Sequence, residues 1–177
     1  MNRVRPWTVD DGLALPEDTH HRVELLGGVL LLSPHPDVPH QRAGSRLAVL
    51  LDAAIGARAA PFEVLTAINL VVPDGLLIPD LVVADANAAA TADLTLHGRD
   101  VLIAIEVTTP CTRVADTVLK SAMYAAAGIP HYWRLEQPRT RPWPWLSTRA
   151  GRLDEKGAAL AATNRPDAHR RLPLREQ

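Results

Sequence analysis

The sequence predicts an α/β fold with an N-terminal β-hairpin, and three observations carry that prediction. Strand-length apolar runs alternate with stretches of helical period. A Gly27-Gly28 pair separates two apolar runs near the N-terminus. One unbroken apolar segment, residues 100–108, is followed at once by a helical stretch, as in sheets buried on both faces. A chain of 177 residues suits one domain with a core of its own.

Residues 1–20 are polar, carry Pro6 and Pro16, and read as an irregular lead-in or a short helix. RVELL and VLLLSP then flank Gly27-Gly28 as the arms of a hairpin, and Pro34 and Pro36 stop the second arm. From His40 to Ala57 the pattern turns helical. Ala43, Leu47, Leu50, Leu51 and Ile55 form the expected core stripe, with Gly56 near the end. Residues 63–72 read as a strand, Pro73-Asp74-Gly75 as a turn, and 76–84 as the next strand, interrupted by Asp80. Residues 85–95 read as a loop or weak helix. Residues 100–108 form a further strand with Glu106 inside it. Residues 113–127 read as a helix, with Gly128 and Pro130 past its end. HYWRLE, residues 131–136, is another strand. Beyond Pro138 the chain is broken by proline and shows no clear period.

Hydrophobic residues make up 47% and charged residues 22%, a globular balance that excludes a disordered polyelectrolyte. The single cysteine, Cys111, has no internal partner, so a reducing, cytoplasmic setting is expected. As a nucleophile it lacks an evident histidine base. The N-terminus holds no apolar run long enough for a signal peptide or membrane helix, and no membrane partner is expected. Charge is uneven. Residues 1–138 hold ten Lys and Arg against sixteen Asp and Glu, net −6; residues 139–177 hold nine against four, net +5. The expected division is therefore a domain over 1–138 and an irregular basic extension over 139–177, packed in part on the same domain. The extension reads as a solvated tail or as a phosphate contact. Trp143 and Trp145, around Pro144, read as a hydrophobic patch or as a stacking surface for bases. His20, His21, His35 and His40 lack zinc-site spacing, and there is no Walker loop or GxGxxG.

The chemistry lies in charged residues placed where a core is expected. Asp80 and Glu106 each interrupt an apolar run, and an unpaired buried charge costs several kcal/mol. Such a residue needs a cation, a metal or an opening to water. Asp80 can be a strand-end turn residue after Pro79; Glu106 has no such excuse. Leu102, Ala104, Glu106 and Thr108 share a strand face, and Glu106 lies near the strand's C-terminal end, where open α/β sheets place their sites. Asp116, Lys120 and Tyr124 recur at i, i+4 and i+8. Alone they read as a surface pair with a neighbour; after the Glu106 strand they can pack back over its end. Lys120 is the only lysine in residues 1–155. Glu24 lies in the first hairpin arm and by itself reads as solvent-facing. Two carboxylates suit Mg²⁺ while leaving positions for water and a phosphate oxygen, and an ammonium can steady developing negative charge. Together these groups make a minimal phosphodiester-hydrolysing set.

The order of motifs resembles the Uma-type restriction endonuclease family, within the PD-(D/E)XK nuclease-like superfamily. VELLGGVLLLSP, HQR opening a helix, IPDLVV, and IAIEVTTPCTRVADTVLKSAMYAAAGIPHYW carry the resemblance over roughly residues 20–136. It implies a restriction endonuclease-like central mixed sheet flanked by helices. It implies catalytic roles for Asp80, Glu106 and Lys120, with Mg²⁺ (or Mn²⁺ as a substitute) held by Asp80 and Glu106 with Glu24 assisting. Asp116, Tyr124 and His40 become accessory residues. DNA is the implied substrate, and a homodimer is one way to cut both strands. Two departures stand out. Thr108 occupies the position two residues after the acid, where the superfamily has lysine, so Lys120 on the next helix takes that place. After Trp133, proline, tryptophan and arginine replace the strand pair the family continues through. The rival reading is a catalytically inactive nuclease-fold protein that binds nucleic acid or a protein partner.

Overall fold

The computed structural model describes residues 5–136, except Glu17, Thr19, Pro110, Cys111 and Arg113, and the backbone of residues 147–153 and 159–161. Cys111, Trp143 and Trp145 lie outside the described residues, as does most of the 139–177 extension.

A short helix, α1 (Val9–Leu13), precedes the hairpin of β1 (His21–Leu26) and β2 (Val29–Pro34). The hairpin closes Leu26 against Val29 through Gly27 and Gly28, both left-handed at φ 56° and 82°, as a two-residue primed turn requires. Helix α2 (Val38–Gly56) starts at Asp37, whose carboxylate caps the His40 N–H at 2.9 Å. Its inward stripe steps by four through Ala43, Leu47 and Leu51. Leu50, expected in that stripe, is 67% exposed because it falls off the four-residue step toward solvent.

The two runs read as single strands are each cut in two, and the halves lie in different sheets. Residues 63–72 become β3 (Phe62–Thr66) and β4 (Asn69–Val72); residues 76–84 become β5 (Gly75–Leu77) and β6 (Leu81–Asp85). The chain turns a corner at Ala67, which is left-handed at φ 51°, and again at Ile78-Pro79-Asp80. The corners are tied by the Ala67 N–H donating to the Asp80 carbonyl at 3.3 Å. The segment expected as a loop or weak helix contains α3 (Ala86–Thr91) and leads into β7 (Thr95–His97). Next come β8 (Val101–Thr108), a π turn (Ala115–Leu119), α4 (Lys120–Ala126) and β9 (His131–Glu136). The continuous α-helix expected over 113–127 is thus divided, its first part wound more widely. Gly128, at φ 76°, ends α4, and the Ile129 N–H returns to the Tyr124 carbonyl at 3.1 Å. In the extension, β10 (Ser147–Leu153) pairs antiparallel with β9, and β11 (Ala159–Ala161) with β10.

The expected mixed sheet is present as two. One has the order β2-β1-β5-β4-β7, the other β11-β10-β9-β8-β6-β3. Each contains one parallel pair, β4 with β7 and β8 with β9. The parallel β8 and β9 need a crossover, which α4 supplies. Core side chains sit on both faces of the six-stranded sheet. Val82, Ala84 and Ala104 pack with Leu70, Leu77, Tyr124 and Tyr132, while Leu81, Ile105, Val107 and Leu135 lie under α2. Burial on both faces explains the unbroken apolar run of β8. No helix among the described residues is long and apolar enough to cross a membrane.

Candidate functional site

The site forms where the two sheets meet. β6 and β8 pair antiparallel with Leu81 opposite Ile105, so one step further Asp80 falls opposite Glu106. Glu106 shares the Ala104 face, which α4 covers. Glu24 reaches in from β1 of the other sheet. The π turn and α4 bring Asp116, Lys120 and Tyr124 over both. Glu24, Asp80, Glu106, Asp116, Lys120, Tyr124 and His40 are all buried. The solvent-facing reading of Glu24 and the surface-pair reading of Asp116 and Lys120 do not hold. A pocket of about 260 Å³ is lined by the four acids, Lys120, Arg22 and His40, among others; Tyr124 stands behind Glu106, outside its wall.

Lys120 Nζ lies 2.8 Å from Glu24 Oε1, 3.1 Å from Glu106 Oε1 and 3.8 Å from Asp116 Oδ1. The Tyr124 hydroxyl donates to Glu106 Oε1 at 2.6 Å, and the Ile78 N–H to Glu24 Oε1 at 2.8 Å. Asp80 is held separately. Arg22 Nη1 donates to its Oδ1 at 2.7 Å, and its Oδ2 takes the Val107 N–H at 2.7 Å and faces His40 Nε2 at 3.1 Å. Arg22 is the member that sequence reasoning missed. It stands two residues before Glu24, on the same strand face, and that parity was the available signal. Thr108, at the position where the superfamily has lysine, is buried with Oγ1 unpartnered.

Burial pushes the Asp80 carboxyl up, but the bond and charge of His40 and the charge of Arg22 outweigh it and hold its pKa at about 2. Burial raises Glu106 well above the usual carboxylate range despite Lys120. Asp116 is also raised, by burial. Burial works to discharge Lys120, yet Glu106, Glu24 and Asp116 prevail and keep its ammonium charged. These directions share a cause. Four carboxylates face two permanent cations, Arg22 and Lys120, and the uncompensated charge is buried. A proton on Glu106 or a cation from outside relieves it.

The donor set has the chemistry for a hard divalent cation: carboxylate oxygens, excess negative charge, and Asp116 Oδ1, which is buried without a hydrogen-bond donor. The acids that converge there are Glu24, Glu106 and Asp116, with Asp80 alongside on the pocket wall. No group of three acid, histidine or cysteine side chains among the described residues is already arranged around one ion position. Lys120 Nζ stands where the three acids converge.

Two mixed sheets flanked by helices, with acids and a lysine gathered at their junction, define a restriction endonuclease-like fold. In that fold the chain aligns at a TM-score of 0.63 and 18% identity with a solved structure from Anabaena variabilis described as "a putative nuclease belonging to DUF820", over 81% of this chain and 84% of that one. The chain belongs to the Uma2 family, described as "Putative restriction endonuclease", whose model matches residues 9–158. That membership places it among nuclease-family proteins. No curated protein sequence matches it.

Proposed function

We propose that this protein is a Mg²⁺-dependent endonuclease that hydrolyses phosphodiester bonds of DNA, with Mn²⁺ as a substitute. The observation that supports it most is the gathering of Glu24, Glu106 and Asp116 within 4 Å of one ammonium, beside Asp80, on an open pocket. Family membership makes a nucleic acid the natural substrate. Asp80 and Glu106, with Glu24 assisting, are the residues that would hold the ion. When bound, a divalent ion lowers the pKa of water and neutralises charge on a phosphate. Lys120 orients the attacking water or offsets charge on the phosphate oxygens. Tyr124 fixes the Glu106 carboxylate, and Arg22 with His40 fixes Asp80. The lone cysteine fits a cytoplasmic setting, and a homodimer would bring two such sites to the two strands.

Asp80→Asn, Glu106→Gln and Lys120→Met keep side-chain volume while removing charge. Each is expected to abolish Mg²⁺-dependent nicking of supercoiled plasmid, with circular dichroism showing a folded chain. Cleavage retained by all three ends the assignment.

One observation favours the second reading, a nuclease-fold protein that binds nucleic acid or a protein partner without cutting. Arg22, His40 and the Val107 N–H already occupy Asp80, and Lys120 occupies Glu24 and Glu106. Whether a divalent ion stabilises the fold separates the two.

A further inference from the structure

Lys120 is the first residue of α4, and its side chain is 4% exposed. An ammonium has three donors on a flexible four-carbon stem. Glu24 and Glu106 each take a close contact, at 2.8 and 3.1 Å, while Asp116 Oδ1 stands 3.8 Å away, buried without a hydrogen-bond donor, although the Thr112 hydroxyl bonds the same carboxyl group. Three carboxylates around one point, two contacted by a monovalent ion and one left over, form a site with more negative charge than its occupant neutralises. A divalent ion and this ammonium cannot share that point, because like charges at contact distance in a buried site repel strongly. The acids are fixed from outside the cluster: Glu24 by the Ile78 N–H and Glu106 by Tyr124. The lysine is therefore the member free to leave. Beside it the pocket continues toward Ser33, His35, Thr109 and Thr112, giving the stem somewhere to swing.

We infer that Lys120 is an internal counter-ion occupying the cation position of this site, and that a divalent ion enters by displacing its ammonium into the open pocket. The inference rests on the metal-dependent reading above. It makes metal uptake and lysine release one event: Glu106 and Glu24, with Asp80 and Asp116 beside them, would turn their oxygens to the ion, and the freed ammonium would become available to a substrate phosphate. Without metal the site stays closed by its own lysine, and the acids remain in place.

The chain has only two lysines, Lys120 and Lys156, so amine acylation read by mass spectrometry resolves Lys120 directly. The full chain is acylated with an N-hydroxysuccinimide ester across a Mg²⁺ or Mn²⁺ titration, and uptake of the same ion is measured independently by calorimetry. Lys120 should react slowly without metal and several-fold faster with it, half-rising at the calorimetric midpoint, while the Lys156 rate stays level. Lys120→Met should take up Mn²⁺ several-fold more tightly than wild type, because its internal competitor is gone. Metal uptake with no change at Lys120 overturns the exchange and leaves the metal reading standing. Uptake by Lys120→Met alone also overturns it, since the lysine would then be a permanent occupant. No uptake by either protein sinks both.

Discussion

Asp80 takes bonds on both oxygens, from Arg22 and from the Val107 N–H, with His40 alongside, and its carboxyl is held at about 2 instead of 3.8. Because the folded-state value is depressed, its contribution is present above about 3.8 and is lost as the pH falls through about 2. The displacement corresponds to about 2 kcal/mol at neutral pH. Asp80→Asn should therefore be less stable than wild type by about that amount at pH 7 in urea titrations, with the gap closing between pH 4 and pH 2. A gap that persists unchanged to pH 2 would refute the ion-pair account. Asp80 and Glu106 were legible in the sequence because a charge inside an apolar run is conspicuous and must find a partner; Asp116 and Lys120 showed only as a helical spacing beside the Glu106 strand, and Glu24, solvent-facing by its own pattern, only through the family resemblance. Arg22 was not, since an arginine at the start of a strand reads as an ordinary solvated residue. Which cation serves which acid also lay beyond the sequence: pairing depends on how two sheets and a helix meet.

Helix α4 carries the lysine and is seated by two glycines with no side chain in the way. A Cβ on Gly75 of β5 would collide with the Met123 methyl and lie 2.8 Å from the Leu25 carbonyl oxygen. A Cβ on Gly98, in the turn before β8, would stand 2.5 Å from Ala127 Cβ and 3.0 Å from the Ala127 carbonyl oxygen. Neither the alanine methyl nor the backbone can step aside, so Gly98→Ala must lift the end of α4. It should cost about 1–3 kcal/mol in chemical denaturation; an unchanged midpoint and slope would show that the helix is not seated there. Element types were read correctly where one period ran long, as in α2 and β8. They failed where a corner interrupts an apolar run without changing its composition. Thr66 to Ile68 carries no turn residue, yet the chain leaves one sheet for the other at Ala67. At Pro79-Asp80 the signal existed, but it resembled the end of one strand more than the join between two.

At the scale of the whole molecule, the acids come from parts that only the finished fold brings together: Glu24 from the five-stranded sheet, Glu106 from the six-stranded one, Asp80 from the corner between them, and Asp116 from the turn above. An unfolded chain disperses these carboxylates, so an ion held by them binds the native state almost alone and must raise its stability. At an ion concentration 100 times the dissociation constant, the gain is about 2.7 kcal/mol. For a domain of this size that is roughly 5–10 °C in melting temperature. Wild type should show such a rise with Mg²⁺ or Mn²⁺, and the Asp80→Asn, Glu106→Gln double variant should not. Because the ion would join both sheets, the shift should be the same whether melting is followed by far-ultraviolet circular dichroism or by tryptophan fluorescence. If wild type melts at one temperature with and without millimolar metal, yet still binds DNA with an affinity that falls steeply with salt, the endonuclease proposal loses its ion. The ammonium of Lys120 and the guanidinium of Arg22 would then be the cations this junction uses, and the binding-only reading would account for the molecule.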